Sequence, residues 1–169
     1  VTITSRLIPL SAFKLIFRKT RIVFLGETSG HHSGINLVRS APDLFIPLSL
    51  SISTPKEVLI EALNKFKPHV LTGYSSALSS IAQEEIAGKL KISPEVIISS
   101  GEPLTPLRQK SIQDAFKIPV FDFYGATECL ALGVDNTGLG TLNIFDDIIL
   151  LETVDENNLP VNEALKKAK

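Results

Sequence analysis

The chain has 169 residues, 44% of them apolar, and carries a formal charge of −1 from 17 basic and 18 acidic side chains. That is enough chain for one well-formed core, and the interspersed signs exclude the basic stripe of a nucleic-acid binder or the cationic face of a protein drawn to anionic lipid. A single cysteine, Cys129, rules out an internal disulfide framework and argues against a multi-cysteine metal site.

The apolar runs "IVFL" (Ile22 to Leu25) and "IILL" (Ile148 to Leu151) are far too short to span a bilayer. "RLIPLSAFKLIF" has a faint look of a secretory leader, but Lys14 splits its apolar part and no small-residue cleavage site follows. The expected compartment is therefore the cytoplasm. No methionine occurs, even at position 1. The chain is accordingly expected to be a portion of something longer.

In chain order, "RIVFLG" (Arg21 to Gly26) is a β-branched run closed by glycine and predicts a buried strand. "DLFIPLSLS" predicts a second, with Pro47 pushing it to an edge or a bend. "STPKEVLIEALNKFKP" predicts a helix: Thr54 as N-cap, Pro55 in the first helical position and Glu57 closing a capping box. Val58, Leu59, Ala62, Leu63 and Phe66 make its apolar face, and Pro68 ends it.

"HVLTGY" is the next predicted strand, followed by the helix "SSALSSIAQEEIAGKL", which Ser75 or Ser76 can cap and which Gly88 helps to close. "PEVIISSG" is a strand, "LTPLRQKSIQDAFK" a helix opened by Thr105 and Pro106, and "PVFDFYG" a strand again. Strands alternating with helices of this length predict crossover units and a mostly parallel sheet, an α/β three-layer sandwich. After Gly140 the pattern changes to two strands about an Asp146-Asp147 turn and a polar turn at Asp155 to Asn158, an antiparallel β appendage. The predicted organisation is an α/β subdomain over residues 1–140, the appendage over 141–161 and a tail over 162–169, frayed or disordered.

In a parallel sheet the ligand crevice lies at the carboxyl ends of the strands. Four stretches fall there: "GETSGHHSG", "GYSSA", "SSGEPLT" and "DFYGATE". All four should open on one edge. In "SSGEPLT", Gly101 admits a planar ligand close to the backbone and Pro103 stiffens the loop, although a plain strand-to-helix turn reads the same way. In "DFYGATE", Asp122 can accept from an exocyclic amine, Phe123 and Tyr124 offer flat faces, Thr127 donates to a phosphate oxygen, and Glu128 is a hard oxygen ligand suited to magnesium. Alone, Asp122 or Glu128 could equally cap or solvate a turn.

The two stretches in this order, one helix apart, resemble the adenylate-forming superfamily, in particular its phenylacetate–coenzyme A ligase branch. The resemblance runs from Arg21 to Val161 and includes "KPHVLTGYSSALSSIA", "KISPEVIISSGEPLTPLRQKSIQDAF" and the Tyr-Gly-x-Thr-Glu signature at Tyr124 to Glu128. It implies a two-step reaction in which a small carboxylic acid and ATP give an acyl-adenylate and pyrophosphate, and coenzyme A then takes the acyl group. By matching positions it implies that Gly101, Glu102 and Pro103 line the adenine and that Asp122 reaches its amino group. Phe123, Tyr124, Gly125 and Ala126 would pack on the nucleotide. Thr127 would meet the α-phosphate, and Glu128 would hold magnesium. Thr127 and Glu128 are thus the catalytic pair of the resemblance, while His31, His32 and Tyr74 fall beside the acyl pocket.

The departures are as informative. Nothing before Arg21 resembles the family's phosphate loop, and neither its ribose-binding aspartate motif nor its lysine-bearing lid follows; Lys166, Lys167 and Lys169 belong to the tail. "LNIF" offers no histidine near the lone Cys129, so no zinc is expected. The chain alone is therefore expected to be inactive, a central piece of a ligase or a nucleotide-binding or oligomerising remnant whose open sheet faces favour self-association. A serine hydrolase is the alternative of another class, with Ser75 on a strand-to-helix turn. Against it, Ala77 stands where the elbow has glycine, and His31, His32 and His69 all precede the serine.

Overall fold

A computed structural model describes residue 15 and residues 17–28, 44–129, 131–135, 137–152 and 154–160. The β-branched runs form the strands expected of them: β1 (Thr20–Gly26), β2 (Phe45–Ser51), β3 (Val70–Gly73), β4 (Val96–Ser100) and β5 (Val120–Tyr124). The apolar-periodic stretches between them form α1 (Lys56–Phe66), α2 (Ser75–Ile86) and α3 (Pro106–Phe116). Two short strands, β6 (Gly133–Asp135) and β7 (Asn143–Ile144), complete a seven-stranded sheet in the order β2-β1-β3-β4-β5-β6-β7. The first five strands in that order run parallel and the last two pairings are antiparallel. This is the α/β class with a mostly parallel sheet and antiparallel β at its C-terminal end. β2 is an edge strand, the place where Pro47 removes no needed ladder donor.

Register aligns the side chains in rows across the sheet. Val23, Leu71, Ile97 and Val120 form one row, and the next row on the same face is Leu25, Gly73, Ser99 and Asp122. The three helices pack on this face, burying Leu59, Leu63, Leu78, Ile81 and Ile112 against it. On the opposite face Val70, Val96 and Phe121 are buried with Leu15. None of the described helices is long and apolar enough to cross a membrane.

Four local expectations are corrected. Thr54 does not cap α1: its N–H is bonded to Ser51, the first helical bonds reach Pro55, and Pro55 itself holds the N-cap position. Val58 lies at the exposed edge of the apolar face rather than within it. Neither Ser75 nor Ser76 caps α2 by its side chain, because Tyr74 is the N-cap and the acceptor comes from another loop. Of the two strands predicted about Asp146-Asp147, only β7 forms; the turn is there, closed by bonds from Ile148 and Ile149 to Phe145, but residues 148–152 pair with no strand among the described residues. The polar turn at Asp155 to Asn158 forms, pinned by a bridge between Val154 and Pro160.

Candidate functional site

Parallel pairing brings the ends of β1 to β5 to one edge. Gly26 lies beside Ser51, Gly73 beside Ser99 and Ser100 beside Phe123. The segments that follow β3, β4 and β5 are therefore neighbours, since adjacent strands stand roughly 4.8 Å apart. Tyr74, Gly101 to Pro103 and Tyr124 to Glu128 accordingly form one continuous border. His31 and His32 lie outside the described residues.

The loop after β4 is fixed from both sides. Gly101 has φ +77°, a conformation that side chains resist, and a Cβ there would meet the Tyr74 ring at 2.8 Å. Tyr74 in turn stands edge-on to Phe24, with ring centroids 6.2 Å apart, and covers Gly26. Glu102 turns toward the start of α2. Its Oε2 accepts from the Ser76 N–H at 3.0 Å and lies 3.3 Å from the Ser75 hydroxyl and 3.5 Å from the Arg108 guanidinium. Arg108 also donates to Ser75 Oγ at 2.8 Å, and the Ser75 hydroxyl reaches the Pro103 carbonyl at 3.0 Å. Burial pushes the Glu102 carboxyl up, but Ser76, Arg108 and Ser75 together outweigh it and hold it below the usual carboxylate range.

The end of β5 divides its side chains between the two faces. Phe123 packs with Ala131, Val134 and Phe145, so Tyr124, 53% exposed, is the flat ring presented at the border. Asp122 points to the helix face, where it pairs in register with Ser99 on one side and Asp135 on the other. Burial pushes its carboxyl up and the Asp135 charge adds to this; the nearby Ser99 hydroxyl and the Leu104 N–H pull the other way. That hydroxyl is buried and finds no partner in regular hydrogen-bond geometry. Beyond Tyr124 the chain turns at once: the Ala126 N–H donates to the Cys129 carbonyl at 2.8 Å and the Leu132 N–H to the Tyr124 carbonyl at 3.0 Å. Thr127 and Glu128 sit at the tip of this turn, both exposed.

Asp135 had no signal of its own in the sequence. It is 3% exposed, yet its carboxylate accepts from Thr137 N, Thr137 Oγ1, Gly138 N and Gly140 N at 2.6–2.9 Å. Burial pushes its carboxyl up, but these donors outweigh it and leave it below the ordinary range. The Gln109 amide donates to the Gly138 carbonyl at 3.2 Å and ties the same loop to α3. A cavity of about 320 Å³ also opens between the starts of α1 and α2, floored by Leu25, Leu59 and Ile81. None of its walls comes from the loops after β4 and β5. Among the described residues no group of three His, Cys, Asp or Glu side chains could hold a metal ion. Glu128 by itself fits only a metal that arrives with its own oxygen ligands, as magnesium does on a nucleotide.

No family model matches the chain. Over 71 residues it is 35% identical to the CapK protein of Staphylococcus aureus, a stretch that is 41% of this chain and 16% of that protein. Its fold is similar to that of 2-hydroxyisobutyryl-CoA ligase, solved in an open conformation in complex with 2-HIB-AMP and CoA. The TM-score is 0.68 at 19% identity, covering 86% of this chain and 35% of the ligase. It is also similar to VinN, with a TM-score of 0.55 at 16% identity over 88% of this chain and 39% of VinN. The chain thus spans about a third of the length of these solved structures. The α/β fold read from the sequence is the one they share.

Proposed function

We propose that this chain is the central portion of an AMP-forming acid–thiol ligase, of the phenylacetate–coenzyme A ligase kind, whose thiol is coenzyme A. The observation that carries the reading is the adjacency of the two loops: Ser99 to Thr105 and Asp122 to Glu128 follow neighbouring parallel strands and form one border. The fold likeness to a CoA ligase solved with an acyl-adenylate and CoA supports it. In this reading the α/β unit over residues 1–140 and the β segment over 141–161 belong to the ligase's larger domain. The phosphate loop and the lid come from other parts of the protein.

The backbone of Gly101 to Pro103 faces one side of the adenine, and Tyr124 and Gly125 pack on the nucleotide. Thr127 donates its hydroxyl to an α-phosphate oxygen, where negative charge accumulates as the substrate carboxylate attacks. Glu128 would hold magnesium arriving with the nucleotide, and the ion would neutralise charge on the phosphates. Residues that position the reactants contribute most here, because the reaction needs alignment more than proton transfer. In the second step the thiol of coenzyme A takes the acyl group and AMP departs.

A serine hydrolase is disfavoured by Ser75 itself. Its side chain is fully buried and engaged by Arg108 and Pro103, and His69 lies just before β3, at the opposite end of that strand.

Carboxylate-dependent exchange of pyrophosphate into ATP tests the proposal. The protein as its gene encodes it should exchange with at least one acid from an aromatic, aliphatic and amino-acid panel. Thr127→Ala and Glu128→Ala should each reduce exchange by about 100-fold. The 169 residues alone should give none. AMP binding without exchange by the whole protein would leave a nucleotide-binding module instead.

A further inference from the structure

We infer that Glu102 is a positioning residue for the nucleotide's base, acting through the backbone of its own loop rather than by contact. The inference rests on the nucleotide reading above and deepens it. The side chain of Glu102 is committed elsewhere: one oxygen serves the first turn of α2 through Ser76 and Ser75, and Arg108 from the first turn of α3 closes on the same oxygen. A carboxylate at a helix start satisfies donors that the helix leaves open and is favoured by the helix dipole. Three elements thereby meet on one carboxylate, and the loop that carries it cannot move without breaking bonds to both helices.

The neighbours of Glu102 make that constraint effective. On its N-terminal side, Gly101 is held at φ +77° under the Tyr74 ring. On its C-terminal side, the Pro103 carbonyl accepts from Ser75. The main chain from Gly101 to Pro103 is thus pinned at three successive residues. A backbone held this way fixes the plane of the base, so that its C6 substituent meets Asp122, which pairs in register with Ser99 at the head of the same loop. A carboxylate accepts from a 6-amino purine and finds only another acceptor on a 6-oxo purine. Arg108 is its second fastening, because it reaches Ser75 and Glu102 together.

The test measures affinities for AMP and IMP by calorimetry on the protein as encoded in full, with Glu102→Ala, Glu102→Gln and Arg108→Met beside it. The unaltered protein should prefer AMP by tenfold or more. Glu102→Ala should reduce that preference to less than threefold, while Glu102→Gln, which keeps an acceptor for Ser76, should retain most of it. Arg108→Met leaves the carboxylate on α2 and should give an intermediate value; it also reads the coupling if Glu102→Ala does not fold. Equal loss for both nucleotides, or an unchanged preference in Glu102→Ala and Arg108→Met, would overturn the inference and leave the nucleotide reading standing. Failure of the unaltered protein to bind AMP would overturn that reading, and the positioning role with it.

Discussion

Asp122 and Asp135 face each other across β5 and β6, and their surroundings drive them apart. Asp135 gains four donors and stays ionised, whereas burial and the charge opposite raise Asp122. A carboxyl whose folded value lies above its unfolded one weakens the fold as pH rises through the ordinary carboxylate range, and the penalty persists at neutral pH. Asp122→Asn, which keeps an acceptor for Leu104, should therefore melt a few degrees higher than the unaltered protein at pH 7. The gap should close by pH 3, where both side chains are neutral; thermal melts across that range would show it. Glu102 and Asp135 have the opposite sign, stabilising above the carboxylate range and failing as acid protonates them. At this scale the sequence was read well where chemistry is local and poorly where it is not. The strand-end positions of Gly101 and Thr127 follow from the run before them. Glu102 and Ser75 are 27 residues apart, and only the pairing of β3 with β4 brings them together.

The Thr-Pro signature occurs twice, and the elements it opens behave differently. Before α3, Thr105 is a true N-cap, accepting from the Arg108 N–H at 3.4 Å with Pro106 in the first turn. Before α1 the same pair starts one residue later: Pro55 keeps an extended ψ of 138°, and its carbonyl accepts the first helical bonds from Val58 and Leu59. A cap depends on the path by which the chain enters the helix, which the dipeptide does not encode. Thr105→Ala should cost about 0.5–1 kcal/mol, at the low end for caps given its long bond, and Thr54→Ala less than half of that. Urea denaturation of the two variants gives the comparison. The same limit explains the segment after β7. Ile148 to Leu151 is as apolar as a strand, and Leu150 is 87% exposed. Apolar character marks a segment to be covered, but a ladder also needs a strand lying alongside in register, and among the described residues none pairs with 148–152.

For the molecule as a whole, the decisive feature is the row of Val23, Leu71, Ile97 and Val120 at the centre of the sheet, all at most 1% exposed. Their β-branched and leucine side chains made the α/β class legible, because each run was too short for a helix and too apolar for a loop. Leu71→Ala empties the middle of that row and should destabilise the protein by about 2–5 kcal/mol. That is a large part of the roughly 5–15 kcal/mol that holds a domain together. A fall in the urea midpoint with an unchanged slope would show it. The reversal of direction between β5 and β6 was less legible, since β6 has three residues and too little pattern to announce itself. Yet that reversal makes the eight residues from Gly125 to Leu132 a spacer whose length acts as a reading frame for side chains. Substitutions at its exposed tip, Thr127 and Glu128, leave that frame in place, whereas Ala131 near its end is packed with Phe123 and Val134. One residue more or fewer, carried into β6, exchanges the two sides of the ribbon: Asp135 would face Phe145 and Phe123, and Val134 would take its place among the donors of Thr137, Gly138 and Gly140. The turn that bears Thr127 and Glu128 is thus open to changes of chemistry and closed to single changes of length.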